Sequence, residues 1–477
     1  MINKDLEHYI ADKISFPLTA EQNETLRALV AFFQQTEPQT AFLLKGYAGT
    51  GKTTLVGAVI QSLIQFRHKV VLLAPTGRAA KVFSRAAGAP AYTIHRKIYR
   101  QKVFDGTIGV FGLNDNLYQN TLFFIDESSM ISNISSGDQA AFGGRCLLDD
   151  LVRYVYAGKG CRMVLIGDDA QLPPVGTQES PALSKSRLES YGLKVYAATL
   201  TGVHRQMAES GILWNASALR QFLNTQGDTQ LPCMKTIGFP DIVSVSGDTL
   251  IEELEQAYSK SGMDETIVIT RSNKRANIYN QGIRGRILGR EELLTSGDWL
   301  VVAKNNYFWM DEETRKMSGM DFIANGDMAR VRKVRHHRCI YGFDFADAVL
   351  EFPDYDSLEI EATLVLNTLT SEAASLTRAE SEHLFQSVWE DYPEVTNKRE
   401  RLKKIKTDAL YNALQVKFAY AVTCHKAQGG QWERVFIDQG YVGEDQSVDE
   451  FARWLYTAVT RARKCVYLVN WPSSQLL

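Results

Sequence analysis

Apolar runs five or six residues long recur along the chain, each closing on something small or polar. They are Ala41–Lys45, Lys69–Ala74, Thr121–Ile125, Arg162–Ile166, Thr266–Thr270, Arg434–Asp438 and Lys464–Val469. Most are near-continuous Val, Ile, Leu and Phe, the pattern of strands buried on both faces of a parallel sheet. Helix-like segments such as Thr53–Gln65 and Asn273–Leu288 lie between them. This alternation predicts an α/β architecture with ligands at the carboxyl ends of the strands. Four of the runs precede residue 200 and three follow residue 260, so two α/β units are expected.

Two stretches break the alternation. Residues 97–118 place Asp105-Gly106 between two β-prone arms, a hairpin signal. From 298 to 366 the segments Trp299–Ala303, Met328–Val334, Cys339–Phe345, Ala348–Phe352 and Ile360–Leu366 follow one another without helices. With Asn325-Gly326-Asp327 as a turn among them, they predict a small antiparallel barrel inserted into the second unit. Residues 371–415 read as helical and charge-rich. The basic run at Lys398–Lys404 is the pattern of a solvated helix face, a nucleic-acid-facing patch being the minority reading.

Composition narrows the class. The 477 residues are 45% hydrophobic and 23% charged, which excludes disorder, collagen and coiled coil. No apolar run approaches the roughly 20 residues that span a bilayer. The N-terminal segment carries charges where a signal peptide needs an apolar core. Six scattered cysteines without a C-x-x-C pair, and eight dispersed histidines, argue against a disulfide framework or zinc cluster and suit a reducing cytosol. Fifty-three basic against 55 acidic residues leave a net charge of −2, so any nucleic-acid surface has to be a locally basic channel.

The strongest chemical signal is Gly46-Tyr47-Ala48-Gly49-Thr50-Gly51-Lys52-Thr53, a G-x-x-x-x-G-K-[ST] loop between a strand-like and a helix-like segment. Its glycines let backbone N–H groups turn onto a phosphate at a helix N-terminus. Lys52 would bridge the β- and γ-phosphates, and Thr53 would take Mg²⁺. The strand Thr121–Ile125 then delivers Asp126 for the Mg²⁺ shell and Glu127 to polarise the attacking water. Together these predict a hydrolase of ATP or a related nucleotide.

Further blocks follow in order: Ala74-Pro-Thr-Gly-Arg-Ala-Ala80, Asp126-Glu-Ser-Ser-Met130, Gly167-Asp-Asp-Ala-Gln-Leu-Pro-Pro174, Thr423-Cys-His-Lys-Ala-Gln-Gly-Gly-Gln-Trp432 and Trp454-Leu-Tyr-Thr-Ala-Val-Thr-Arg-Ala-Arg463. From about residue 18 to 470 the chain resembles the superfamily-1 DNA helicases, in the RecD/Dda branch rather than the UvrD/Rep branch. The resemblance implies two RecA-like parallel-sheet domains: one over 1–200, carrying a strand-separating hairpin at 97–118, and one over 201–297 and 412–477. A barrel of the Src-homology-3 type plus a helical segment, over 298–411, would be inserted between the two parts of the second.

The same resemblance implies the site residues. Gln22, in Leu18-Thr-Ala-Glu-Gln22, would read adenine, and Gln171 would sense the γ-phosphate. Arg205 and Arg461 would reach that phosphate from the second domain. The rest of the nucleotide set is Gly46, Gly49, Thr50, Gly51, Lys52, Thr53, Thr54 and Gly429. Thr76, Thr93, His95, Thr423 and His425 would hold the strand, with Phe104 as the pin aromatic. For the two histidines and Phe104, ordinary packing roles stay open. Gln431 stands where UvrD-type relatives carry glutamate, which puts a ribose contact there in doubt. The implied activity is ATP- and Mg²⁺-dependent 5′→3′ movement on single-stranded DNA with separation of duplex at single-strand/duplex junctions. The implied setting is cytoplasmic, away from membranes and among DNA repair or recombination partners, and the motor logic requires only one chain. An RNA translocase of the same branch, and a nucleotide-binding subunit of a recombination complex, are the alternatives.

Overall fold

The computed structural model describes residues 2–14, 16–104, 107–134, 146–202, 210–225, 230–311, 314, 322–443 and 447–477. Six strands form the first sheet: β1 (Thr40–Gly46), β2 (Lys69–Ala74), β3 (Ala91–Thr93) and, after a hairpin of β4 (Tyr99–Phe104) and β5 (Thr107–Leu113), β6 (Thr121–Ile125), β7 (Arg162–Gly167) and β8 (Lys194–Leu200). All its pairs are parallel, in the order β3-β2-β6-β7-β1-β8. β6 is buried at every position, as its unbroken Thr-Leu-Phe-Phe-Ile run requires. The helix Ala20–Gln34, started by a Thr19/Gln22 capping box, covers one face through Leu26, Leu29 and Val30 together with Val59 and Leu63 of the helix Lys52–Gln65. The helix Leu147–Ala157 covers the other face.

The second sheet begins with β9 (Ile242–Val245) and β10 (Thr266–Thr270). The chain then leaves it for β11 (Trp299–Val302), β12 (Met328–Ile340), β13 (Phe343–Phe352), β14 (Leu358–Val365) and β15 (Leu414–Phe418), which close a five-stranded barrel. It returns as β16 (Ala421–Thr423), β17 (Trp432–Asp438) and β18 (Ala462–Val469), giving the all-parallel order β16-β10-β17-β18-β9. Val268 of this sheet and Leu300, Val331, Leu350, Leu364 and Val416 of the barrel belong to one apolar cluster. The insert is therefore fused to the second sheet.

The α/β class, two parallel sheets, hairpin and inserted barrel match the expectation; some boundaries do not. β12 is one strand through a polar Arg-His-His-Arg stretch that reads as a gap, because the stretch faces solvent and is accommodated by register shifts. Cys339–Phe345, expected as a strand, holds the turn itself: Tyr341 and Gly342 have φ of 57° and 76°, joining the paired Ile340 and Phe343 as a two-residue hairpin. The barrel's last strand, β15, begins inside the stretch expected to be helical and lies beyond 411. Its five residues follow the helices Arg378–Glu390 and Lys398–Lys406 and pair parallel to β14. In the hairpin, Tyr99 pairs with Leu113 and Phe104 with Thr107. Asp105, Gly106 and the side chain of Phe104 lie outside the described residues. Among the described residues no helix is long and apolar enough to cross a membrane.

Candidate active site and nucleic-acid interface

The carboxyl ends of β1, β2, β6 and β7 release, in turn, the phosphate loop, Thr76, Asp126-Glu127 and Asp168. The loop turns on Gly49 (φ 78°) and Gly51 (φ 77°), conformations that favour glycine. A Cβ at residue 51 would also stand 2.8 Å from Gln22 Nε2. Lys52 Nζ donates to the Gly46 carbonyl at 2.6 Å, spanning the loop. Thr50 Oγ1 donates to the Tyr47 carbonyl at 2.8 Å, while Thr53 and Thr54 are exposed on the first turn of the helix. Gln22 sits against the loop, with both ends of its amide bonded: Nε2 donates to the Thr50 carbonyl at 2.9 Å and Oε1 accepts from Thr19 N–H at 3.0 Å.

Asp126 continues the sheet through its N–H to the Leu73 carbonyl, 2.9 Å. Glu127 follows in a left-handed conformation (φ 48°), donating its N–H to Asp126 Oδ1 at 2.9 Å. For a non-glycine residue this costs of order 1–3 kcal/mol and concentrates at functional sites. Burial, then the charge of Glu127, push the Asp126 carboxyl up to about 6 against the pull of Lys52. Gln171 is buried, and its Oε1 has no hydrogen-bond partner. Asp168 is buried as well, and burial raises it while Lys52 opposes. Lys52, two acidic side chains and an orphaned amide oxygen thus mark one locus. The Thr53 hydroxyl and Asp126 carboxylate are the hard oxygen donors that Mg²⁺ takes alongside phosphate oxygens.

Arg461 and Gly429 are engaged with other groups of the chain. Arg461 is buried at the end of the helix Val448–Val459, donating to the Thr457 and Gly430 carbonyls and to Thr460 Oγ1 at 3.0, 3.2 and 3.1 Å. Gly429 (φ 73°) packs on the first sheet's motifs at a different point from the phosphate loop. A Cβ there would stand 3.2 Å from Thr76 Oγ1 and 3.1 Å from Ala79 Cβ. Arg205 lies outside the described residues.

A cleft of about 700 Å³, with no phosphate-loop residue in its lining, gathers Thr76 and Val175 from the first unit, Asn325 from the barrel, and Thr423 and His425 from the second. Arg78, Arg271, Lys274 and Lys426 outnumber the lining's one carboxylate, Glu372, which pairs with Lys274 at 3.6 Å, and make the cleft basic in a nearly neutral chain. Burial and the neighbouring Lys417 lower Lys426 to about 8. The Thr76 hydroxyl caps a helix by accepting Ala79 N–H at 3.2 Å, which leaves its own proton free to donate to a phosphate. Thr423 opens a helix without a side-chain cap bond. Thr93 and His95 are not in the cleft lining. Thr93 is a buried cap for Arg96 N–H, and His95 packs 5.7 and 6.4 Å from the Tyr99 and Phe322 ring centres. Burial lowers His95 to about 4, so its imidazole is neutral.

Sequence reasoning passed over Arg78 and Trp432. The guanidinium stacks 4.1 Å from the indole centre and donates to the Gln431 carbonyl at 2.8 Å, bridging the units in the cleft wall. An arginine and a tryptophan, each inside a recognised block, were the available signal.

The AAA domain family matches residues 17–224, and the UvrD-like helicase C-terminal domain family matches residues 418–469. The chain is 20% identical to an uncharacterised protein of Acanthamoeba polyphaga mimivirus over 93% of this chain and 97% of that one. It is 24% identical to the ATP-dependent RecD2 DNA helicase of Deinococcus radiodurans over 88% of this chain, although it spans only 46% of that relative's length. It is 23% identical to the ATP-dependent DNA helicase Dda of Enterobacteria phage T4, with 89% and 93% covered. Among solved structures, a Pif1 helicase from Bacteroides in complex with ADP-AlF3 and single-stranded DNA is 16% identical with a TM-score of 0.48, covering 97% of this chain and 95% of that one. The AAA domain and the UvrD-like helicase C-terminal domain in chain order, the motifs between them and the RecD2 and Dda relatives support a superfamily-1 helicase of the RecD/Dda branch.

Proposed function

We propose that this chain is an ATP-dependent DNA helicase that moves 5′→3′ along single-stranded DNA and separates duplex ahead of it. The observation that carries this is the pairing of two sites: a phosphate loop backed by Asp126, Glu127 and Gln171, and a basic cleft assembled from both units and the barrel. Polarity and the choice of DNA rest on the RecD/Dda resemblance.

In this reading the backbone of Gly49–Thr53 holds the phosphates, and Lys52 exchanges the Gly46 carbonyl for phosphate oxygens. Thr53 and Asp126 would hold Mg²⁺, which neutralises charge on those oxygens. Glu127 takes a proton from the water that attacks the γ-phosphorus as the bond to the β,γ-bridging oxygen breaks and ADP leaves, and the Gln171 oxygen, free of any chain partner, orients that water. Arg461 leaves its carbonyl partners, and with Arg205 it meets the charge that develops across the cleft. Thr76, Thr423 and His425 grip the sugar-phosphate backbone without reading bases.

The test is steady-state ATPase with no nucleic acid, single-stranded DNA, duplex DNA and single-stranded RNA, with Lys52→Ala as control, then displacement on 5′- and 3′-tailed duplexes. Stimulation by single-stranded DNA and displacement from a 5′ tail are expected. Stimulation chiefly by RNA would move the chain to the RNA alternative, and none at all would reduce it to a nucleotide-binding subunit.

A further inference from the structure

The helix Val448–Val459 of the second unit carries Tyr456, which is only 1% exposed, into the back of the nucleotide site. Its hydroxyl accepts the N–H of Ala48, a phosphate-loop residue, at 2.9 Å and donates to Asp168 Oδ2 at 2.6 Å. Asp168, equally buried, takes its other bond from Ala170 N–H at 3.0 Å. The next residue of the helix, Thr457, accepts Leu172 N–H at 2.8 Å, and Gln428 Nε2 donates to the Leu172 carbonyl at 2.7 Å. The loop 168–172, which bears Gln171, is therefore fastened to the second unit at both ends. The same helix runs on to Arg461, whose Nε donates to the Thr457 carbonyl.

We propose that Tyr456 is a positioning residue that joins the phosphate loop, the Gln171 loop and the Arg461 helix into one mechanical unit, so that the state of the nucleotide reaches the strand cleft through the second unit. The inference rests on the motor reading above. Its physical basis is the double role of one hydroxyl. Ala48 and Asp168 issue from the neighbouring strands β1 and β7, and a single oxygen that both accepts and donates ties the two to a third element. Any shift of the loop around phosphate must carry the tyrosine or break a buried bond. Coupling of this kind needs an element whose position both sites bias.

The test is Tyr456→Phe in the full chain, which keeps the ring and removes both bonds. The readout is the ratio of dissociation constants for a labelled oligothymidine with a non-hydrolysable ATP analogue and with ADP, alongside the constant without nucleotide. A cement role alone would lower stability and leave this ratio alone. The expected result is a nucleotide-free constant within about twofold of wild type and a ratio that collapses toward one, out of the 5–150-fold span typical of site coupling. An unchanged ratio overturns the proposal. A wild-type chain that binds oligothymidine identically in both nucleotide states overturns the motor reading first. If the variant does not fold, hydrogen exchange of the Ala48 amide in wild type decides. Slow exchange that changes when nucleotide is added supports the tie, and exchange at the free-peptide rate removes it.

Discussion

The two sites are built on opposite plans. At the nucleotide end, a few side chains from short contiguous motifs are held in place, Asp168 and Gln171 among them buried. A left-handed Glu127, a carboxyl at Asp126 raised to about 6 and an unsatisfied oxygen on Gln171 show polar groups held against their own preferences. At the strand end, hydroxyls and basic groups from two sheets and a barrel line an open cleft, where Lys426, lowered to about 8 with its Nζ unpartnered, is held in a comparable way but Thr76 and Thr423 are not. Transferring a phosphoryl group requires particular atoms at particular points, whereas holding a repeating polyanion requires only many modest contacts. One substitution should therefore abolish function at the first site and merely weaken it at the second.

Glu127→Gln gives the largest expected effect. The amide cannot take the proton from water, so turnover should fall by about 10²–10⁴-fold while nucleotide binding persists. Single-turnover hydrolysis and a binding titration check this, and near-normal turnover would show that the base is another group. Gly77→Ala tests the strand end by shape. An added Cβ would stand 2.2 Å from Tyr355 Oη and 2.8 Å from Asp327 Oδ1, forcing the barrel off the helix Gly77–Ala87. Oligothymidine affinity should drop about tenfold, or 1.4 kcal/mol, with basal ATPase retained. Equal loss of both would mean that the two ends are less separable than their construction suggests.

The two threonines sharpen the contrast more gently. Each loses one hydroxyl contact on change to Ala, worth about 1 kcal/mol of strand affinity, or severalfold in dissociation constant. Only Thr76 also caps its helix, so Thr76→Ala should cost about a further 1 kcal/mol of stability that Thr423→Ala does not. Thermal melts beside binding curves separate the two effects.

The same division governs how much was legible in the sequence. The phosphate loop and Asp126-Glu127 are local, since their chemistry is fixed by neighbours in the chain, and the fully apolar β6 announces its strand. β8 was missed because its burial alternates along an edge strand, and β3, β9 and β16 because three or four residues hold no periodicity. The barrel was visible as a β-rich tract, but its closing strand was not. That strand owes its place to β14 and β11, far away in sequence. The strand cleft is the extreme case. Thr76 and Thr423 sit in recognisable blocks, yet nothing local says that Arg78 will lie on Trp432 or that Gly429 will face Thr76 instead of the phosphate loop.

Asp327 offers the finest discrimination, because it lies where the barrel meets the first unit and its effect is a slope with pH. Its carboxyl accepts Ala324 N–H at 2.7 Å and Tyr355 O–H at 3.1 Å, and burial pushes it up to about 7. An unfolded aspartate loses its proton near 4, so between about 4 and 7 the native chain holds a proton that the unfolded chain has lost. Raising pH through that window therefore erodes stability, and the loss is complete above about 7. Asp327→Asn removes the titration and keeps the bonds: its Oδ1 accepts Ala324 N–H, and its Nδ2 donates to the tyrosine oxygen. The raised Asp126 acts with the same sign but is present in both chains, so it cancels in the comparison. The melting temperature of the variant should gain on wild type by at least about 2–4 °C, the equivalent of 1 kcal/mol, between pH 5 and 8. A gap that stays constant over this range would mean that Asp327 ionises normally, and that the barrel contact carries no buried charge.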